Sequence, residues 1–177
     1  MSKHVLKISE DLLSRIGGHG ADTYPHECCG ALLGLEGEAG REVVKLLPLP
    51  NRRDDSPRNR FELAPDDVRL AEKTARETGL DLLGWYHSHP DAPARPSEFD
   101  RAHAWPWYSY IIVSVRGGRP VETNSWRLQD DRSAYDSEAI HSVRASDPMF
   151  AGAAAGHSVP QGAEEADQLR SDECLSR

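Results

Sequence analysis

HSHPDAPARPSEFD, residues 87–100, is the stretch that decides the fold of this chain and locates its chemistry. The apolar run that leads into it, residues 80–87, predicts a β-strand, and side chains two residues apart on a strand point to the same face. His87 and His89 are therefore expected to present two imidazoles to one metal ion. Asp100 is the candidate third ligand, which leaves a fourth position for water, as in catalytic rather than structural zinc sites.

An upstream segment, YPHECCGALLG at residues 24–34, supplies the candidate base. A carboxylate beside a metal-activated water can accept its proton and return it to a leaving amine, and Glu27 is the candidate for this role. His26 adjoins Glu27, and its side chain is expected to point away because neighbours on a strand face opposite sides. Asp91 and Glu98 could replace Asp100 as ligand only in an unusual loop geometry.

Together these two segments resemble the JAMM, or MPN-plus, metalloprotease motif. The matching positions are Glu27, Gly30, His87, His89, Pro90, Pro96, Ser97 and Asp100. GWY at 84–86 and YSYIIVSV at 108–115 also resemble this family, so the resemblance covers about residues 3–136. It implies an α/β fold of the JAMM/MPN type, similar to cytidine deaminases, in which a mixed β-sheet is flanked by helices.

The resemblance also implies roles for individual residues. It implies zinc held by His87, His89 and Asp100, with Glu27 as the catalytic base. Ser97 resembles the serine of the family that donates a hydrogen bond to the developing oxyanion. Ligand chemistry alone also favours zinc, although iron, cobalt or manganese could occupy such a set.

The function implied by the family is hydrolysis of the bond after the C-terminal Gly-Gly of a ubiquitin-like or sulfur-carrier protein, by a zinc metallopeptidase or isopeptidase. Segments 51–60 and 117–120 are short where deubiquitinases carry insertions, which favours the small prokaryotic type that acts on sulfur carriers. Two alternatives stay open: a non-catalytic MPN scaffold that binds partners, and a RadC-like protein associated with DNA repair. The complete ligand set argues against the scaffold.

Composition limits the partners and the compartment. A net charge of -8 and a pI near 5.5 argue against nucleic acid or an anionic membrane as the main partner. No apolar run is long enough to span a bilayer, so a cytoplasmic protein is expected. Three cysteines, at 28, 29 and 174, do not form a disulfide framework, and Cys28 and Cys29 are expected to be reduced, packed thiols.

Local patterns predict the order of the elements. We expect an edge strand at 4–8, a helix from Ser9 that ends at the glycines 17, 18 and 20, paired strands at 31–35 and 43–49, a helix at 64–78, and strands at 109–116 and 121–128. Ser97 is also expected to cap a short helix with Asp100 three residues later. Trp105, Trp107 and Tyr108 are expected to pack in the core or at its rim rather than to line a groove.

The chain is expected to divide into a catalytic domain at 1–140, complete by about Tyr135, and a tail at 141–177. The tail is low in large apolar residues and rich in acids, which predicts a mobile, disordered segment.

Overall fold

The computed structural model describes residues 4–37, 40–52 and 63–144. This part of the chain contains seven strands and three helices. In chain order they are β1 (Val5–Ser9), α1 (Glu10–Thr23), β2 (Cys29–Gly37), β3 (Gly40–Leu49), α2 (Pro65–Thr78), β4 (Asp81–Pro90), α3 (Glu98–His103), β5 (Ser109–Arg116), β6 (Arg119–Leu128) and β7 (Tyr135–Val143).

The strands form one mixed sheet in the order β1-β3-β2-β4-β5-β6-β7, and β7 in turn pairs with β1. β4 lies in the middle of this order, antiparallel to β2 and parallel to β5. The predicted mixed sheet with flanking helices is confirmed. The prediction that the first strand is an edge is wrong, because β1 pairs in parallel with both β3 and β7.

Helix α1 starts where the sequence predicts and ends later. The hydroxyl of Ser9 accepts a hydrogen bond from the amide of Leu12 at 3.2 Å, which caps the helix. The helix then continues through the glycines to Thr23, so the predicted end at 17–20 is wrong. A Cβ at Gly20 would lie 2.9 Å from Val115 of β5, so this glycine serves close packing on the sheet rather than helix termination.

Two apolar cores cover the two faces of the sheet. On one face, Leu12 and Ile16 of α1 pack into a buried cluster with side chains of β1 to β5. On the other, Ala71 and Ala75 of α2 pack into a second cluster. Helix α2 ends at Thr78 as predicted and starts one residue later than predicted, because Ala64 is its N-cap. Gly79 follows it in the left-handed conformation, with φ 66°.

Strand β4 contains one residue more than its partner β2. Leu32 pairs with Gly84 and Leu33 pairs with Leu82, so Leu83 is the extra residue of a β-bulge. A bulge reverses the faces to which the following side chains point. The strand's second half, which carries the histidines, is therefore turned over relative to its first half.

The last strand extends beyond the residue at which we expected the domain to be complete. β7 begins at Tyr135, runs to Val143 and pairs with β1 and β6. The division near residue 140 stays a prediction, since residues 145–177 lie outside the described residues. The predicted tail and Cys174 fall there.

Two further predictions concern the thiols and the compartment. Cys28 and Cys29 are both buried and form no disulfide, which confirms that they are packed thiols. Burial raises the pKa of Cys28 to about 11 and that of Cys29 to about 12. Within 4–37, 40–52 and 63–144, no helix combines the length and the apolar character that crossing a membrane requires. The cytoplasmic location stays a prediction.

Candidate metal centre and active site

The bulge in β4 decides which side chains meet at the site. After it, Trp85 faces the α2 side of the sheet and Tyr86 faces the α1 side. Continued alternation places His87 and His89 with Trp85, while Ser88 points to the opposite face with Tyr86. Both imidazoles are buried, and their ring centroids lie 4.9 Å apart.

His87, His89 and Asp100 form a compact cluster of ligand-type atoms. The two Nε2 atoms are 3.0 Å apart, and the Asp100 carboxylate oxygens lie 3.4 Å from Nε2 of His87 and 3.6 Å from Nε2 of His89. Ligands bonded tetrahedrally to zinc at its usual bond lengths are about 3.3 Å from one another. The spacing and the two-imidazole, one-carboxylate donor set therefore fit a zinc-sized ion.

Hydrogen bonds prepare the imidazoles for that role. The carbonyl of Pro93 can only accept, so the 2.9 Å contact with Nδ1 of His89 places a proton on Nδ1 and directs Nε2 to the cluster. Burial lowers the pKa of His87. Burial also opposes protonation of His89, but hydrogen bonding to Asp100 and the charge of Glu27 outweigh it and raise the pKa of His89. A bound cation would displace such a proton.

Helix α3 delivers Asp100 to the cluster through a capping box. The amide and hydroxyl of Ser97 each donate to Oδ2 of Asp100 at 2.6 Å, and the amide of Asp100 donates to the Ser97 hydroxyl at 3.1 Å. The predicted serine cap is therefore confirmed. Burial opposes ionisation of Asp100, but His87, His89 and Ser97 outweigh it and hold its pKa well below the usual range.

The two alternative ligands lie elsewhere. Asp91 accepts hydrogen bonds from the hydroxyl of Tyr24 at 2.8 Å and from the amide of Gly117 at 3.1 Å. Glu98 pairs with Arg101 on the exposed side of α3. Among the described residues, the group that could hold a metal consists of His87, His89 and Asp100.

Glu27 lies beside this cluster, in the segment that precedes β2. Ser88 fixes that segment from β4: its hydroxyl accepts from the amide of Cys28 at 2.8 Å, and its own amide donates to the Cys28 carbonyl at 3.2 Å. Glu27 is 4% exposed, and burial raises its pKa to about 8. The charge of His89 lowers this pKa, and the charge of Asp100 raises it. A pocket of about 320 Å³ contains Glu27, His89 and Ser97 together.

A larger cavity of about 740 Å³ also adjoins the cluster. His87 and Asp100 form part of its wall. Half of the remaining lining residues are large aromatics: Trp85, Phe99, Trp105, Trp107, Tyr108, Tyr110 and Tyr135. The prediction of core or rim packing is confirmed for Tyr108, which packs against the second core. It is wrong for Trp105 and Trp107, which are exposed and line this cavity. The feature of the sequence that points to a cavity wall is the position of these aromatic residues just after the metal-ligand segment.

His103, one turn after Asp100, also lines this cavity. Its Nδ1 donates to the carbonyl of Phe99 at 2.8 Å, and its ring packs on that of Phe99 at a centroid distance of 4.1 Å. His103 thus belongs to the cavity wall and to its own helix.

Comparison with known proteins places this geometry in context. A family model described as prokaryotic homologs of the JAB domain matches residues 9–129. Desampylase of Haloferax volcanii is 36% identical over 109 residues, 61% of this chain and 76% of the relative. CysO-cysteine peptidase of Mycobacterium tuberculosis is 30% identical over 142 residues, 79% of this chain and 92% of the relative. A solution structure of a Desulfitobacterium hafniense protein is similar with TM-score 0.69 and 32% identity, covering 79% of this chain and 94% of that one.

Proposed function

The chain belongs to the family of prokaryotic homologs of the JAB domain, and we propose that it is a zinc-dependent peptidase or isopeptidase. Its substrate is a ubiquitin-like or sulfur-carrier protein, and it hydrolyses the amide bond after the C-terminal Gly-Gly of that protein. The names of its relatives, a desampylase and a CysO-cysteine peptidase, support this substrate class. The observation that carries the proposal is the convergence of His87, His89 and Asp100 beside a buried Glu27.

In this proposal His87, His89 and Asp100 hold the zinc ion. The chemistry that zinc supplies at such a site is Lewis-acid polarisation of a carbonyl and acidification of water to a pKa near 7. Because both imidazoles are buried, bulk water does not compete with them for the ion. Ser97 holds the Asp100 carboxylate in place through Oδ2.

Glu27 moves the proton. Its carboxylate accepts a proton from the attacking water, whose oxygen bonds to the scissile carbonyl carbon, and then gives that proton to the leaving amine as the C–N bond breaks. Burial raises its pKa to about 8, so Glu27, once protonated, holds the proton until the second step, while a cation held by the cluster would favour its ionised form for the first. Ser88 supports it by fixing the backbone at Cys28.

Ser97 is the donor to the oxyanion in this proposal. Its hydroxyl lies in the same pocket as Glu27 and His89. Because this hydroxyl donates to Asp100 in the structure, donation to the substrate oxygen requires it to change partner. Donors of this kind contribute on the order of 3 kcal/mol to transition-state stabilisation in other proteases.

The experiment is cleavage of a panel of ubiquitin-like and sulfur-carrier proteins, each extended beyond Gly-Gly by one amino acid or joined there to a lysine side chain. Intact mass reports loss of the extension from zinc-loaded protein. The matched controls are Glu27→Gln, which should retain zinc and lose turnover, and chelated wild type. Cleavage that persists in Glu27→Gln or after chelation would overturn the mechanism. A zinc-loaded wild type that cleaves nothing in the panel would overturn the function and favour a binding role.

A further inference from the structure

The large aromatic cavity borders two of the candidate metal ligands but not the candidate base. Glu27 delivers the proton to the leaving amine, so the leaving group lies on the Glu27 side. Glu27 lines two pockets of about 320 and 300 Å³. The cavity of about 740 Å³ is instead bordered by His87 and Asp100. A cavity bordered by these ligands and not by Glu27 fits the acyl side of the bond, where the tail of the carrier protein would approach.

Trp107 stands out in the wall of this cavity. Its φ is 84°, a left-handed conformation that is unfavourable for a bulky residue. The residue is 43% exposed even though its side chain is large and aromatic. An unfavourable backbone conformation that turns an indole toward open space requires support from its surroundings.

Two arginines supply that support. The carbonyl of Trp107 accepts hydrogen bonds from Nη1 of Arg41 and, at 3.0 Å, from Nη2 of Arg127. The guanidinium of Arg41 also lies over the Trp107 ring, 4.1 Å from its centroid. Nη2 of Arg41 is buried and has no hydrogen-bond partner among the described residues. The guanidinium instead contacts the π face of Trp107.

Arg41 is itself fixed by a buried polar network. It is on β3, with a side chain only 3% exposed, and it pairs with Glu36 at 3.1 Å. Its Nη1 also donates to the hydroxyl of Ser109 at 3.1 Å, and that hydroxyl donates to the buried Glu138 at 3.2 Å. A buried arginine with so many partners has one orientation, so it holds Trp107 in one orientation as well.

We propose that Trp107 determines specificity for the carrier tail and that Arg41 is its positioning residue. The ligand is the side chain of the third residue before the scissile bond, a large apolar group. This inference rests on the proposed function, because it uses the direction in which the substrate lies. Two extended glycines span roughly 7 Å, so the third residue carries the first side chain that can fill a cavity bordering the metal ligands. Glu72 in the wall disfavours an acidic residue at that position.

The test uses one carrier protein with Leu, Ala or Asp placed before its Gly-Gly and one amino acid after it. The measured quantity is the ratio of kcat/KM for Leu to that for Ala, in wild type and in Trp107→Gly. Glycine is the residue that φ 84° favours, so this variant relieves the backbone while it removes the ring. We expect wild type to prefer Leu by roughly tenfold or more and the variant to lose that preference. Val121→Ala, at an exposed apolar residue elsewhere, should keep it.

Arg41→Met should lower the same ratio without loss of bound zinc, because Trp107 loses a donor and its cation. Since Arg41 is buried and its loss could prevent folding, Arg127→Met provides a second test through the other donor to the Trp107 carbonyl. Its ratio should fall in the same direction. A purely structural role would instead lower both kcat/KM values by the same factor.

Binding separates this inference from the proposed function. Tail peptides with Leu or Ala at the third position are titrated against Glu27→Gln with and without Trp107→Gly, and Kd is measured by calorimetry. A Leu preference of roughly tenfold that vanishes without the indole supports the subsite even if wild type cleaves nothing. If Trp107→Gly leaves the Leu-to-Ala ratio unchanged, both for kcat/KM in cleavage and for Kd in binding, the proposed subsite is overturned.

Discussion

Ser97 and Asp100 hold each other at the start of helix α3. The Ser97 hydroxyl donates to Oδ2 of Asp100 at 2.6 Å and accepts from the Asp100 amide at 3.1 Å. The same carboxylate reaches Nε2 of both His87 and His89. One serine thus begins the helix and orients a candidate metal ligand, so removal of its hydroxyl should affect both stability and metal binding.

Ser97→Ala should weaken zinc binding by roughly tenfold or more, since partners that orient a ligand commonly contribute 10 to 100-fold to affinity. It should also lower the free energy of unfolding by about 1 kcal/mol through loss of the cap. Competition with a chromophoric chelator measures the first effect and urea denaturation of the metal-free protein the second. Ser97→Thr keeps the hydroxyl and should behave like wild type. Unchanged zinc affinity in Ser97→Ala would show that Ser97 does not orient Asp100.

The second prediction distinguishes a candidate metal ligand from a nearby histidine that does not bind the metal. His87→Gln should reduce zinc from about one ion per chain to a small fraction, because three protein ligands are the usual complement of such a site. His103→Gln changes the same residue type in the wall of the adjoining cavity and should retain full zinc. Elemental analysis after dialysis against dilute zinc measures both variants. Equal zinc contents in the two would remove His87 from the ligand set.

The sequence predicted the components of the site better than the reason they meet. The His-x-His spacing and the Ser97 cap are local signals, and both elements form as expected. The bulge at Leu83 is not local, because it depends on how β4 pairs with β2. Simple alternation from Leu82 would have placed His87 and His89 on the α1 side. The side of the sheet that carries the site was therefore beyond sequence reasoning.

The errors have the same physical origin. Glycines 17, 18 and 20 signal a helix end by propensity, but packing overrides propensity where a helix must approach a sheet closely. Sequence alone favours packing for the aromatic residues after α3, because hydrophobicity carries no information about the open space beside a side chain. That space borders Trp107, whose carbonyl and ring both contact Arg41, 66 residues earlier in the chain.

The glycines of α1 allow a matched pair of stability predictions. A Cβ at Gly18 meets nothing within 4 Å, so Gly18→Ala should stabilise the protein by about 0.5–1 kcal/mol through lower backbone entropy in the unfolded chain. A Cβ at Gly20 would lie 2.9 Å from Val115 and 3.1 Å from Ser88, so Gly20→Ala should destabilise it by about 1–3 kcal/mol. Chemical denaturation of both variants gives the two signs.

Gly20→Ala should also lower activity, because displaced Ser88 would release the backbone at Cys28, beside Glu27. Equal stability changes in the two variants would show that α1 does not pack on β4 and β5 as described.

The last prediction concerns pH. Asp67, 3% exposed in the first turn of α2, accepts hydrogen bonds from the guanidinium of Arg52 and from the amide of Ala64. The Arg52 hydrogen bonds, which outweigh burial, lower the pKa of Asp67. A carboxyl whose pKa is lower in the folded state adds stability above its unfolded pKa of about 3.9, and loses it as pH falls toward the folded value.

Asp67→Asn should therefore lower Tm at neutral pH, and the difference from wild type should shrink as pH falls below about 4. Asp66→Asn is the control, because Asp66 is an exposed neighbour whose pair with Arg69 should contribute little. Thermal denaturation of the three proteins between neutral and acid pH measures the effect. If the gap for Asp67→Asn stayed constant down to acid pH, shape or packing of the side chain, rather than its ionised form, would stabilise the start of α2.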